Sequence, residues 1–399
     1  MFSSLKVKKY RIYWFGMFLS LVGTWIQSVA QSWLVFDLTN SAFLLGVVGF
    51  LSSIPMFLLS LFGGVVADRV NKRKILIFTQ TAFMFLAFLL AVLTQANLIT
   101  ATQIMFIALL NGIVMSFDAP TRQAVVVELV GKKHLFNAIA LNSVAFNSSR
   151  IIGPALAGIL VSSIGMSGCF YINGVSFFAV LIALMLIQID DRPRPNKNNS
   201  AWGDLKEGLL FIKNNRLILI LITIVGISSL FGMPYVILMP VFAKELLHVG
   251  VKGLGLLMSS AGAGALVAGL VLARLGDFKH KGRLLIISSI IFSISLMLFS
   301  LSRNFIFSLF SLALIGCFSV MAMALINTLL QTIVEDEYRG RIMSVFMFTF
   351  AGFMPFGNLL AGSISQVAGV SMTVLFSGVI CMVSFLIITI SYPELRKAS

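Results

Sequence analysis

The sequence predicts an all-α integral membrane protein, with twelve transmembrane helices arranged as two pseudo-symmetric six-helix bundles. Three observations carry this. Of 399 residues, 59% are hydrophobic and only 11% charged, against roughly 25% charged in a soluble domain. The charges are clustered, which leaves apolar runs of the ~18 residues or more that cross a bilayer. Segments of the first half also recur in the second.

Within hydrocarbon every backbone polar group must be bonded internally, so spans are helices or a closed barrel. The run 284–302 (LLIISSIIFSISLMLFSLS) has no charge and none of the alternation of a barrel strand. Hydropathy breaks place the spans at 12–36, 42–63, 74–96, 102–127, 135–164, 169–189, 217–243, 252–275, 283–302, 305–333, 341–367 and 371–391. The first follows Lys6, Lys8, Lys9 and Arg11. It contains Ser28-Val29-Ala30, which looks like a signal-peptidase site, but its apolar run continues through Trp33, Leu34 and Phe36. That exceeds the ~7–15 residues of a signal-peptide core, so the helix is read as retained.

The longest charged stretch, 190–216, opens with DDRPRPNKNNS, a linker composition. It divides a bundle at 1–189 from a bundle at 217–399. Within it Trp202, Leu205, Leu209, Leu210 and Ile212 alternate with Asp204, Lys206, Glu207 and Lys213. This pattern predicts a short amphipathic helix on the inner membrane surface, read as an ordered linker rather than a docking site.

Basic residues orient the chain. With the N-terminus inside, 25 of the 29 Lys and Arg fall at cytoplasmic ends and loops. Lys244, Lys252 and Arg303 fall outside, and Arg150 lies within the fifth span. Both termini are then cytoplasmic, in a bacterial inner membrane. The asymmetry accounts for the net charge of +15 without a nucleic-acid partner.

The repeat is visible across the fourth and fifth spans (RQAVVVELV, then GPALAG) and the tenth and eleventh (LQTIVEDEY, then GNLLAG). Gln123 to Gly158 is 35 residues and Gln331 to Gly362 is 31, so Gly153 and Gly158 fall opposite Gly357 and Gly362. Parallel repeats of this kind place a solute site near the midplane.

The strongest motif is the turn Gly63-Gly64-Val65-Val66-Ala67-Asp68-Arg69-Val70-Asn71-Lys72-Arg73-Lys74 between the second and third spans. Glycines allow helix ends to approach, Asp68 is placed to meet a helix N-terminus, and Arg69 and Arg73 can pair with acids. The turn resembles the loop motif of the major facilitator superfamily. A degenerate copy, GLVLARLGDFKHKGR at 269–283, follows the eighth span, with Asp277 among Arg274, Lys279, Lys281 and Arg283. Segments 24–46, 111–130, 137–158 and 232–247 resemble the branch holding enterobactin-type siderophore exporters and drug efflux proteins. The resemblance covers nearly the whole chain.

It implies that the turn is a conformational latch comprising Gly64, Asp68, Arg69 and Arg73, with Asp118 and Arg122 on the fourth span. Asp118 has three readings: latch partner of Arg69 or Arg73, local i,i+4 pair with Arg122, or proton carrier. Glu128 reads as a solvated helix end. On the fifth span, Gly153-Pro154 and Gly158 resemble the antiporter motif of exporters, although Ala155 and Ala157 stand where that motif has more glycine. Arg150, just before it, is an intramembrane charge, expected either to face a cavity or to hold helices together.

Further polar residues form a candidate substrate or proton cavity: Gln27, Gln31, Asp37, Asn111, Asn147, Tyr235, Asn327, Gln331 and Asn358. Each taken alone reads as an inter-helix hydrogen bond, and Asp37 as a helix-end charge or an external proton entry. Small residues Ala261, Ala265 and Gly269 read as packing. No phosphate-binding loop, metal-ligand spacing or nucleophile constellation is present, so no enzyme, metal or cofactor is predicted. The resemblance implies a monomeric secondary exporter that uses alternating access and protons to expel a small organic solute. The solute is expected to be an anionic siderophore, with a multidrug or macrolide efflux protein of the same fold as the alternative.

Overall fold

The computed structural model describes residues 3–187, 201–276 and 278–398. All its regular structure is helical. α1 (Lys8–Thr39) starts within the basic cluster and stops at Asn40, which adopts a left-handed conformation (φ 44°). α2 (Ala42–Arg69) and α3 (Lys72–Gln95) are separated by a two-residue turn, and the Asn71 side chain caps α3 by accepting from the Lys74 N–H.

Ala101–Leu186 is one run of helical hydrogen bonding, opened by a Thr100–Gln103 capping box. Gly131 (φ 64°) and Gly165 (φ 75°) break it. Both torsion pairs lie where a Cβ would clash with the chain's own backbone. The three arms are α4 (101–130), α5 (132–164) and α6 (166–186).

α7 (Ala201–Asn214) is the amphipathic linker helix. α8 (Arg216–Leu246) is regular only to Ile227. Beyond it come a π turn, a 3₁₀ segment over Pro234–Leu238 and a second π turn. Pro234 and Pro240 supply no N–H to the ladder, so i→i−4 bonding cannot continue through them. α9 (Gly250–Leu275), α10 (Lys281–Leu301), α11 (Phe305–Ile333), α12 (Asp336–Ala368) and α13 (Val370–Ser391) complete the fold.

Among the described residues ten helices are long and apolar enough to cross a membrane, with Ala101–Leu186 counted once. Their outer faces are apolar too: Phe78 and Phe85 on α3 are 72% and 64% exposed. Such surface is stable against lipid and not against water.

The chain forms two compact units. The first holds α1, α3–α6, α2 from Leu51 onward, and Gly250–Ser259 of α9. Its core joins Tyr10 and Tyr13 of α1 to Leu76 of α3, Val125 and Leu129 of α4, and Leu184 of α6. Phe83 stacks on Phe177, with centroids 5.7 Å apart. Near the start of α9, a Cβ on Gly158 would stand 3.0 Å from the Lys252 Cα.

The second unit holds Ser41–Phe50 of α2, α7, α8, the rest of α9, and α10–α13. α9 crosses α11 at Ala261 and Gly316, with Ala265 fully buried. A Cβ on Gly269 would meet nothing within 4 Å, so close packing does not explain that glycine. At the start of α2, a Cβ on Gly46 would lie 2.9 Å from the Gly362 Cα. The linker helix packs on α12: Phe211 stacks on Tyr338 (4.4 Å), and Glu207 pairs with Arg341 (3.1 Å). The linker helix is thus held in place by contacts within its own unit. Cys169 and Cys381 are buried and Cys317 is partly so; all three are free.

Candidate solute cavity and its charged wall

A cavity of about 770 Å³ opens in the first unit between α1, α4 and α5. Helical periodicity builds each wall. Trp14, Met17 and Leu21 of α1 recur at i, i+3, i+7; Met115, Asp118 and Arg122 of α4 at i, i+3, i+7; Ile139, Asn142 and Phe146 of α5 likewise. The wall is mainly apolar and aromatic, and Asp118 and Arg122 are the only charged residues among those lining it.

Asp118 is completely buried. Its Oδ1 accepts from Thr79 Oγ1 and from Gln80 Nε2, both at 2.7 Å, and its Oδ2 pairs with Arg122 Nε. A buried carboxylate is tolerated only when it is paired and hydrogen-bonded in this way. The Arg122 side chain is 20% exposed while that of Asp118 is 0% exposed, so the cavity meets the guanidinium with the carboxylate behind it. Tyr13, also in the wall, buries a hydroxyl with no hydrogen-bond partner among the described residues. The Tyr10 hydroxyl lies 2.8 Å from Asn142 Oδ1, and Trp14 Nε1 donates to the Leu141 carbonyl at 3.2 Å. These bonds fix α1 against α5.

The latch residues are distributed differently from the sequence expectation. Asp118 meets Arg122, and neither Arg69 nor Arg73 reaches it. Arg73 donates from Nε to the Leu184 carbonyl (2.6 Å) and from Nη2 to the Met185 carbonyl (3.1 Å). It thereby neutralises the C-terminal end of α6. The α3–α4 ion pair is instead Lys72–Glu128, at 2.9 Å with side-chain exposures of 4% and 17%. Glu128 is thus a bridging residue and not a solvated helix end. Arg69 is exposed, and the side chain of Asp68 lies outside the described residues, as does all of Asp277. The close glycine is Gly63, packed on the Ser116 carbonyl, while a Cβ on Gly64 would meet nothing within 4 Å.

Of the ten expected cavity residues, only Asn147 lines this one, with its Nδ2 donating to the Ser143 carbonyl. Gln27 accepts from Asn173 Nδ2 at 2.7 Å, an α1–α6 packing bond. Asn111 donates back to the Ile107 carbonyl, Gln31 is half-buried, and Asp37 is exposed at the end of α1. Arg150 is partly exposed on α5, outside the cavity wall, with no ion pair among the described residues. The helix carrying it turns Gly153 against Trp25 of α1, and its Pro154 carbonyl toward Gly255 of α9. In the second unit Tyr235 is buried on α8, Asn327 and Gln331 bond to each other on α11, and Asn358 is buried against Gly49. Sequence reasoning missed Tyr13, Trp14, Asn142 and Phe146. Their periodic faces were the available signal, but such stripes also describe ordinary packing.

Long apolar helices in two compact units, the first of them holding a cavity with one charged pair, are the marks of a membrane solute transporter. The sequence matches the family described as transmembrane secretion effector over residues 1–398, and the chain belongs to the major facilitator superfamily. It is 28% identical to the staphyloferrin A transporter of Staphylococcus aureus, across 91% of each chain. It is 23% identical to macrolide efflux protein A of Streptococcus pyogenes, across 99% of this chain and 98% of that one. Among solved structures, a bacterial homologue of the human lysosomal transporter Spinster, inward-facing and unoccupied, superposes with a TM-score of 0.76 at 12% identity over 98% of each chain. These matches agree with the fold and the superfamily branch that the loop motif and branch segments led us to expect.

Proposed function

We propose that the chain is a secondary exporter of a small organic anion of the carboxylate siderophore type, working by alternating access of two six-helix bundles, twelve spans in all. The observation that carries this reading is the Arg122 guanidinium, the one charged group offered to an otherwise apolar and amide-bearing cavity. The similarity to the staphyloferrin A transporter supports the substrate class. The electrochemical proton gradient supplies the energy. Its inside-negative potential favours exit of an anion by about 2.3 kcal/mol per net charge per 100 mV. The segment Gly153-Pro154-x-x-x-Gly158 argues for export over uptake. Asp68, Arg69 and Arg73 form the conformational latch, Lys72–Glu128 belongs to the same device, and the protein acts as a monomer with both termini in the cytoplasm.

Arg122, and not the intramembrane Arg150, is the anion contact in this reading. The test is siderophore in the medium of cells making the protein, its Arg122→Gln variant or its Arg150→Ala variant, at matched protein levels. Export should fall at least tenfold with Arg122→Gln, little with Arg150→Ala, and stop when a protonophore collapses the gradient. Unchanged export by Arg122→Gln would refute the reading.

The second reading, efflux of macrolides or other bulky drugs, is favoured by the apolar wall of Trp14, Met17, Met115 and Phe146 and by the similarity to macrolide efflux protein A. Killing curves across unrelated drugs separate the two. Protection against many drugs, with no change in secreted siderophore, selects the second.

A further inference from the structure

We propose that the outward seam between α3 and α6 binds an anionic phospholipid of the cytoplasmic leaflet, its phosphate on Lys74 and Arg73 and an acyl chain along Phe78 and Phe85. The proposal is independent of the solute and of the direction of transport.

α3 and α6 meet along their length within the first unit. Arg73 binds the Leu184 and Met185 carbonyls, and Phe83 stacks on Phe177. Phe88 lies against Phe178 (6.4 Å) and Tyr171 (6.2 Å), and the Tyr171 hydroxyl donates to Gln95 Oε1 at 2.7 Å. Numbers rise on α3 as they fall on α6, so the two helices are antiparallel. Beside the seam, Lys74, Phe78, Thr81, Phe85 and Val92 recur at i, i+4, i+7, i+11 and i+18, and all are exposed. That spacing is a single helix face. α6 adds Phe178, Ile182 and Met185, also exposed.

The strip has the dimensions of a lipid. Lys74 to Gln95 is 21 residues, about 32 Å of helix, against about 30 Å of hydrocarbon in a bilayer. Lys74 and the Gln95–Tyr171 pair therefore mark the two edges of the membrane. Phe85 lies about 16 Å from Lys74 along the helix, close to the midplane. An acyl chain anchored at Lys74 ends beside it.

Charge selects the headgroup. Lys74 is exposed and makes no ion pair among the described residues. Its long stem can follow the apolar strip while the ammonium stays at the interface. Arg73 spends its Nε and one Nη2 proton on the end of α6. A guanidinium has five N–H groups, so donors remain for a phosphate oxygen. No acid opposes them among the described residues: Glu128 is turned to Lys72, and Asp118 is buried against Thr79, Gln80 and Arg122. A zwitterionic headgroup would bring a cation of its own toward these two. A soluble anion would leave the phenylalanine strip unused. Basic sites between helices on the cytoplasmic side suit anionic lipids for these reasons.

The test uses the full chain reconstituted in phosphatidylcholine vesicles with a trace of phosphatidylglycerol carrying a photoactivatable diazirine midway along one acyl chain. After illumination, peptide mass spectrometry locates the label. Wild type should be labelled on α3 between Phe78 and Phe85 and on α6 between Phe178 and Met185. A small fraction of unlabelled phosphatidylglycerol should remove most of that label. A phosphatidylcholine probe with the same diazirine should label the seam no more than the other outward helix faces. Lys74→Gln should weaken capture about fivefold, the worth of one basic charge at an anionic surface. Lys9→Gln, an exposed lysine at the start of α1, should leave capture unchanged. Glycerol phosphate, a headgroup without chains, should not compete. Should Lys74→Gln fail to reconstitute, the comparison of the two probes decides. Equal seam labelling by both probes, or none by either, overturns the proposal. So does capture that Lys74→Gln leaves intact or that Lys9→Gln lowers as much, because the attraction would then belong to the basic surface as a whole. Displacement by glycerol phosphate overturns it in favour of a soluble anion.

Discussion

Lys72 and Glu128 lie 2.9 Å apart, with the lysine almost wholly buried. Removing Glu128 takes a charge-assisted contact from a buried ammonium, at a cost of about 2 kcal/mol. Glu128→Gln should therefore lower the thermal midpoint of the purified protein, and Lys72→Met combined with Glu128→Leu should recover most of it, because apolar pairs replace buried ion pairs well. A double variant no better than Glu128→Gln would show that the pair is incidental. Asp118 and Arg122 were conspicuous in the sequence as rare charges in an apolar stretch, and their i,i+4 spacing made a local pair one of three readings. Which way each points was not legible. The burial of one and the partial exposure of the other depend on Thr79 and Gln80, some forty residues earlier in the chain. Arg150 was equally conspicuous, yet it stands outside the cavity wall. A charge in a span signals a constraint and says little about which one.

At the scale of elements, α2 and α4 touch backbone to backbone at Gly63, where a Cβ would overlap the Ser116 carbonyl. Gly63→Val should force the helices apart, with lower protein yield and a lower thermal midpoint. Gly64→Ala meets open space and should be tolerated, gaining up to about 1 kcal/mol from helix propensity. Equal loss for both would mean that close approach is not the reason for the glycine pair. Gly131, at φ 64° and ψ 174°, should cost about 1–3 kcal/mol on replacement by alanine. Span positions were legible because hydropathy alone sets them. The break inside α8 was less so: the sequence displays Pro234 and Pro240, but whether a helix kinks, unwinds or passes into π turns depends on what accepts its freed groups. Here Ser229 Oγ donates to the Phe350 carbonyl of α12, a contact no local pattern encodes.

For the whole molecule, the lopsided distribution of Lys and Arg predicts the topology. A reporter active only in the cytoplasm should work when fused after Ser399, and a tag inserted near Asn97 should be reached by antibody from outside. The reverse pattern would invert the chain and with it the proposed direction of transport. The three cysteines give such mapping a convenient background. Thiol reagents attack thiolates in contact with water, and Cys169 and Cys381 are sealed within the protein, while Cys317 is only partly covered. With Cys317→Ser, the native chain should be almost dark to maleimide dyes. A single cysteine introduced at Asp37 or His280 would then report its own side of the membrane, and a fluorophore on it could follow the protein through its working cycle.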